Sequence, residues 1–242
     1  YEQVIKNIQS IRERGFTGDL VARMTVSAQS NIYADVRHLL GLKLFDHVHW
    51  QLDVFWTEDK KWKNLPQWVN KVYIPGISRL AEYWIEQMEI RGAIPGIVPF
   101  QGVMKTLLSG KQTPLPCGAG LDFFAINTSG LITSCPICPE WEEFHIGNIH
   151  QNTPSELRNS MLVGSPCPSC EIYGVCGGRC LFANKTNLWG LDDFNLVCQT
   201  VKHLVNEMKR YKPIVEGLIS KDFLKKEDFG YPPYNNSCEI IP

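Results

Sequence analysis

No stretch of this 242-residue chain is long and apolar enough to span a membrane; its longest hydrophobic runs are short and interrupted by charge. Neither sign of charge dominates. With 24 basic and 25 acidic residues the formal net charge is −1, so no basic stripe invites nucleic acid and no acidic block forms a solvated tail. Internal repeats and low-complexity tracts are absent as well. The first residues, YEQVIKNIQSIRERG, lack a starting Met and any signal-peptide pattern. They read as a chain entered partway through a larger protein.

Cysteine, by contrast, is plentiful. There are nine, and eight of them lie from Cys117 to Cys198. The segment CPSCEIYGVCGGRC, residues 167–180, holds four, separated by two, five and three residues. Disulfides, zinc and an iron–sulfur cluster are the three accounts to weigh. Disulfide frameworks belong mainly to small secreted domains, and this chain is larger and carries no secretion signal. Metal or cluster ligation therefore leads. Zinc thiolate sites use similar CxxC spacings. Cluster iron also takes thiolates, commonly four per 4Fe–4S cluster. Closely spaced cysteines let one loop wrap several irons, and Cys167, Cys170 and Cys176 fit such a loop. Gly177-Gly178 relaxes the backbone where a side chain would crowd a cluster.

The first hundred residues alternate between helix and strand patterns. Val4, Ile5, Ile8 and Ile11 form a helical stripe that Gly15 can end. Residues 18–27 read as a strand with Leu20, Ala22, Met24 and Val26 on one face and Val21, Arg23, Thr25 and Ser27 on the other. SNIYADVRHLLGL reads as a helix capped by Ser30 or Asn31 and stopped at Gly41. In the strand expected at 46–56, Val48, Trp50, Leu52, Val54 and Trp56 share one face, and His47, His49, Gln51 and Asp53 share the other. The helix–strand order suggests parallel strands with crossover helices, which are usually apolar on both faces. A polar face here fits either an edge strand with one wet side or the inner wall of an open barrel lined for a polar ligand.

Residues 64–91 read as helical, with a break at Pro75-Gly76. A short strand and a short helix follow, and then the connector KQTPLP, where we place a domain boundary. FFAINTSGLITSC reads as a hairpin turning at Thr128-Ser129-Gly130. PSELRNSM reads as a short helix capped by Thr153, with Pro154 in its first turn. A longer helix at 193–219 carries Cys198, and an irregular tail, FGYPPYNNSCEIIP, follows.

The full cysteine order makes a resemblance specific. Cys117 is followed by Gly130 and Cys135; after a gap come Cys167, Cys170, Cys176 and Cys180, and then Cys198. Together with PCGAG, SGLITSCP, HIGNI and CGGRC, this resembles the seven-cysteine SPASM domain, the auxiliary-cluster module of many radical S-adenosylmethionine (SAM) enzymes, over roughly residues 115–200. Upstream, residues 1–100 resemble the last strands of a partial (β/α)6 radical SAM barrel. The whole chain is similar to mainly archaeal radical SAM proteins described as peptide-modifying.

The resemblance implies an α/β fold: C-terminal barrel strands and helices over 1–112, a cysteine-rich SPASM domain with a hairpin and helices over 113–200, and a helix and tail over 201–242. It implies two auxiliary 4Fe–4S clusters. By position, Cys167, Cys170, Cys176 and Cys198 hold the second. Cys117, Cys135 and Cys180 hold the first, with Cys138 our candidate for its fourth ligand; Cys238 is left as a plain thiol. Arg23, Thr25, Ser27, His49 and Gln51 are expected near cofactor or substrate, unless they are ordinary polar residues bonded inside an α/β interior. The implied partners are a peptide or protein substrate and an electron donor such as ferredoxin or flavodoxin, in the cytoplasm, where thiols stay reduced.

Two departures qualify this. The radical-generating triplet CxxxCxxC is absent, so S-adenosylmethionine and a third 4Fe–4S cluster are expected only in a full-length enzyme. The Asp that follows the second cysteine in sulfatase-maturing members is here Pro136, which counts against formylglycine formation. Glu140, Glu142, Glu143 and His145 are either acid–base candidates or a solvated hairpin edge. The readings to separate are the cluster-bearing part of a peptide-modifying radical SAM enzyme, a non-catalytic cluster or peptide-binding module, and a structural zinc domain.

Overall fold

The structure is a computed structural model, and it describes residues 1–53, 64–112 and 114–231. Val54, Trp56 and Cys238 lie outside the described residues, as does the tail beyond Tyr231.

Helix α1 (Glu2–Glu13) is amphipathic, yet none of its side chains is buried. Ile5 and Ile8 are half-covered, while Val4 and Ile11 stay exposed. Arg12 anchors it: the guanidinium donates to the carbonyls of Leu44 (3.1 Å) and Gly18 (3.2 Å) and pairs with Asp46.

Strand β1 (Val21–Val26) and strand β2 (His47–Leu52) pair in parallel, with Arg23 beside His49 and Thr25 beside Gln51. Helix α2 (Ile32–Gly41) makes the crossover between them. Asn31 caps it, its side chain accepting from the Ala34 amide at 3.1 Å; such a cap is worth about 1 kcal/mol. On its other side β2 meets a single parallel bridge, Val48 to Ile97. The approach there is close: a Cβ on Gly96 would lie 1.9 Å from the Asp46 carbonyl oxygen. β2 is thus flanked on both sides, and the edge-strand reading does not hold. The short strand expected near residue 97 is this one bridge, and helix α5 (Val98–Ser109) leaves directly from it.

Between β2 and the bridge runs one helical path: α3 (Leu65–Trp68), a π-turn (Val69–Tyr73) and α4 (Ile74–Arg91). The break expected at Pro75-Gly76 does not occur. Pro75 sits in the first turn of α4, where its missing N–H costs little, and the irregularity lies one turn earlier, in the wider π spacing. Gly76 instead permits close packing, since a Cβ there would lie 2.6 Å from a methyl of Ile32.

The core under the sheet is aromatic. Trp50 meets Phe100 edge-on at 5.9 Å, and Trp84 meets Phe100 at 5.6 Å and Phe229 at 6.0 Å. The indole N–H groups are satisfied by Tyr73 Oη, the Pro95 carbonyl (for Trp84) and the Ser30 carbonyl (for Trp68), each at 2.9 Å, as buried indoles require.

In the cysteine-rich segment the expected hairpin forms. Strands β3 (Ala125–Ile126) and β4 (Leu131–Thr133) pair antiparallel, and Gly130 at φ +83° completes the turn. A third strand, β5 (His145–Asn148), adds to β4 with a bulge. Helix α6 (Pro154–Leu157) opens on a capping box of Thr153 and Glu156 but is one turn long, because Leu157 is followed by an extended Arg158. Short helices α7 (Tyr173–Cys176) and α8 (Leu181–Thr186) follow, and then α9 (Gly190–Ser220). α9 packs on α4 and α5, so buried residues of the sheet half and the cysteine half belong to one continuous core.

Candidate functional site

Strand alternation places Arg23, Thr25, His49 and Gln51 on one face of the β1–β2 pair, as side-by-side neighbours. The face is unevenly wet. Arg23 and Thr25 are exposed and Gln51 is half-buried. His49 is fully buried, because β2 is the inner strand. Ser27 lies past the end of β1; its hydroxyl accepts from the Gln29 amide at 3.3 Å and so closes a local turn. His47 is held by Asp19 at 2.9 Å.

The cysteines are gathered by turns. Residues 167–169 form one 3-10 turn, Cys176 ends α7, and Cys198 comes from the third turn of α9. Cys167, Cys170, Cys176, Cys180 and Cys198 all border a cavity of about 280 Å³. Between Cys176 and Cys180 the backbone is left-handed three times running: Gly177 at φ 62°, Gly178 at 93° and Arg179 at 53°. This reversal brings cysteines only four residues apart to the same wall. Gly178 borders the cavity, and a Cβ there would also meet Val163 at 2.8 Å.

Burial dominates the electrostatics of this wall. It raises the Cys176 and Cys198 thiols to about 11, and neighbouring thiols push Cys198 further in the same direction. Cys167 is raised first by burial and then by Cys170, while the Asn184 amide works the other way. Groups that favour charged sulfur stand close by. Asn184 Nδ2 donates to Cys167 Sγ at 3.4 Å, the Gly178 amide bonds Cys176 and Arg179 lowers both Cys176 and Cys198. Lys202 borders the cavity beside Cys170 and pairs with Glu171 at 3.3 Å.

The remaining cysteines are organised differently. Cys138 is fully buried, and its Sγ donates to the Cys135 carbonyl at 3.3 Å. Interaction with the Cys135 side chain, then burial, then the charges of Cys135 and Cys180 hold its thiol far above the ordinary range. Cys180 caps α8, its sulfur accepting from the Ala183 amide at 3.5 Å. It is raised by burial and also feels Cys135. The structure thus brings Cys135, Cys138 and Cys180 together. Cys117 sits half-buried in a tight turn, where Gly118, Leu121 and Asp122 are tied by backbone bonds.

None of these eight cysteines forms a disulfide. Among the described residues no group of three or more Cys, His, Asp or Glu converges tightly enough for one metal ion. Zinc needs sulfurs about 2.3 Å from a single centre. Here Cys167, Cys170, Cys176 and Cys198 surround a volume instead. All-thiolate donors around a cavity fit a multi-iron cluster, which takes one thiolate per iron.

Spacing arguments missed Arg179, Lys202 and Asn184. Arg179 lies inside CGGRC and Asn184 four residues beyond Cys180, so polar residues flanking the cysteines were the available signal. Glu140, Glu142 and Glu143 are exposed. His145 bonds the Pro139 carbonyl at 2.8 Å.

No protein-family model matches the sequence, and no curated protein does. Solved structures do match. Native anSMEcpe with bound AdoMet aligns with a TM-score of 0.63 at 18% identity, covering 90% of this chain and 62% of that chain. Native anSMEcpe with bound AdoMet and Cp18Cys peptide gives 0.64 at 18%, covering 90% and 63%. The likeness is one of fold, and the chain spans about three fifths of the length of those chains.

Proposed function

We propose that this chain is the auxiliary-cluster portion of a radical SAM enzyme that modifies a peptide or protein. The observation that carries the reading is the cavity of about 280 Å³: Cys167 and Cys170 from one turn, Cys176 from the end of α7 and Cys198 from the long helix α9 border it, with Cys180 beside them. The shared fold supports it, since anSMEcpe is a radical SAM enzyme of SPASM type, solved with AdoMet and with peptide.

In this reading Cys167, Cys170, Cys176 and Cys198 hold one 4Fe–4S cluster. Cys117, Cys135, Cys138 and Cys180 hold another; the mutual influence of Cys135, Cys138 and Cys180 supports that grouping. When bound, such clusters accept or pass one electron at a time. The protein's own part is electrostatic and steric. Arg179 and Lys202 offset the negative charge of four thiolates. Ile172, Trp189 and Val201 wall the cavity with apolar surface, keeping water low and the local field strong. Arg23, Thr25 and Gln51 line the side where AdoMet or substrate would approach, with His49 buried beside them and Ser27 at the strand's end. Ferredoxin or flavodoxin would supply electrons, in the cytoplasm.

The test is iron and acid-labile sulfide in protein purified without oxygen, with paramagnetic resonance after reduction. About eight of each is expected for two 4Fe–4S clusters. Cys198→Ser should roughly halve both while Cys117 and its partners keep theirs. Stoichiometric zinc without sulfide would overturn the reading in favour of a structural metal domain.

A further inference from the structure

The Asn184 side chain makes more contacts than a helix surface residue needs. It projects from α8 onto the loop that carries Cys167. Its Oδ1 accepts from the Gly164 amide at 2.6 Å. Its Nδ2 donates to the Gly164 carbonyl at 3.1 Å, to the Ser165 carbonyl at 3.4 Å and to Cys167 Sγ at 3.4 Å. One amide thus fastens the loop and also places a donor on a sulfur of the cavity wall. Fastening alone would need only the two bonds to Gly164. A planar amide held by those two bonds presents its second N–H to the Ser165 carbonyl and the Cys167 sulfur, each 3.4 Å from Nδ2.

From this geometry we infer that Asn184 sets the reduction potential of the cluster held by Cys167, Cys170, Cys176 and Cys198. The inference rests on the reading above, that these thiols hold a cluster. A donor to a ligand sulfur withdraws charge from it. Charge on the sulfurs rises when a cluster gains an electron, so the bond strengthens on reduction and raises the potential. Asn184 is a positioning residue: it acts on the cluster through Cys167 and touches neither substrate nor iron. It also gives the two cysteine groups different electrical surroundings. Cys167 has this side-chain amide, whereas the sulfur of Cys138 points to a carbonyl.

The experiment is a redox titration of the holoprotein followed by paramagnetic resonance, in wild type, Asn184→Leu and Asn184→Asp. Leu removes the donor without adding charge. Asp keeps an acceptor for the Gly164 amide and removes the donor to sulfur. We expect iron and sulfide to stay at wild-type levels in at least one variant. One of the two clusters should become harder to reduce, by about tenfold in its equilibrium, or about 59 mV for one electron. The other cluster should not move. In deuterated buffer, pulsed resonance of the shifted cluster should lose one exchangeable deuteron coupling in the same variant. That loss distinguishes a missing donor from an added charge. An unshifted potential with the coupling retained overturns the inference, as does loss of the cluster in both variants, which would make Asn184 a fastener only. Wild-type protein with no iron or sulfide would sink the underlying reading itself, and this inference with it.

Discussion

The sheet half and the cysteine half place their polar groups by opposite means. In β1 and β2 the position of a side chain follows from alternation, so Arg23, Thr25 and Gln51 share a face whatever their neighbours are. In residues 115–198 position follows from turns that demand particular residues. Gly118, Gly120, Gly130, Gly177 and Gly178 all have positive φ. At Gly120 a Cβ would lie 2.6 Å from the Met161 carbonyl oxygen. A strand face is robust to sequence, whereas a set of thiols gathered by turns is not.

Three experiments can break or sharpen this contrast. The largest effect is expected at Trp84, fully buried between Phe100 and Phe229 in the continuous core. Trp84→Ala should cost about 3–5 kcal/mol. Unfolding in denaturant, followed by signals from each half, should remain a single transition; two separated transitions would show that the halves are independent. Next comes the contrast itself. Gly178→Ala, at φ +93° and against Val163, should cost about 1–3 kcal/mol. Thr25→Ala on the exposed strand face should stay within about 0.5 kcal/mol. Equal losses in urea melts would refute the distinction.

The smallest effect concerns the seam between the halves. Ser78 on α4 meets His203 Nε2 at 2.8 Å and Glu207 at 3.2 Å on α9, and Arg210 pairs with Glu207 at 3.5 Å. Burial lowers the His203 pKa from its ordinary 6.5, outweighing Glu207 and a bond with the Ile74 backbone. A depressed folded pKa means that the native state favours neutral imidazole. Its stability contribution is therefore complete above 6.5 and is lost as pH falls through the lower folded value. Thermal melts should show a small acid-side loss that His203→Gln reduces; an unchanged pH profile in that variant would exclude His203 as its source.

Much of this was legible in the sequence, and the limits have physical causes. Parallel pairing, the faces of β1 and β2, the Asn31 cap and the hairpin turn at Gly130 all follow from local pattern or turn chemistry. The continuity of α3 through α4 did not. A proline usually signals a boundary, and only the π-turn before Pro75 shows why it does not act as one. The burial of His49 was hidden because alternation gives a face but not what covers it. Cysteine spacing drew attention to the thiols but not to Asn184, Arg179 and Lys202, because an amide or a cation reaches its sulfur through the fold of the intervening chain.

Helix α9 carries one last consequence. Its 31 residues extend about 46 Å at 1.5 Å per residue. Cys198 and Glu207 lie nine residues apart on it, roughly 14 Å along the axis. One site faces the cavity and the other is fastened to Ser78 on α4. α9 is therefore a measuring rod fixed at both stations. Any hinge between α4 and the cysteine layer would have to drag Cys198 with it, so the distance from α4 to thiol is held by the rigidity of a single helix.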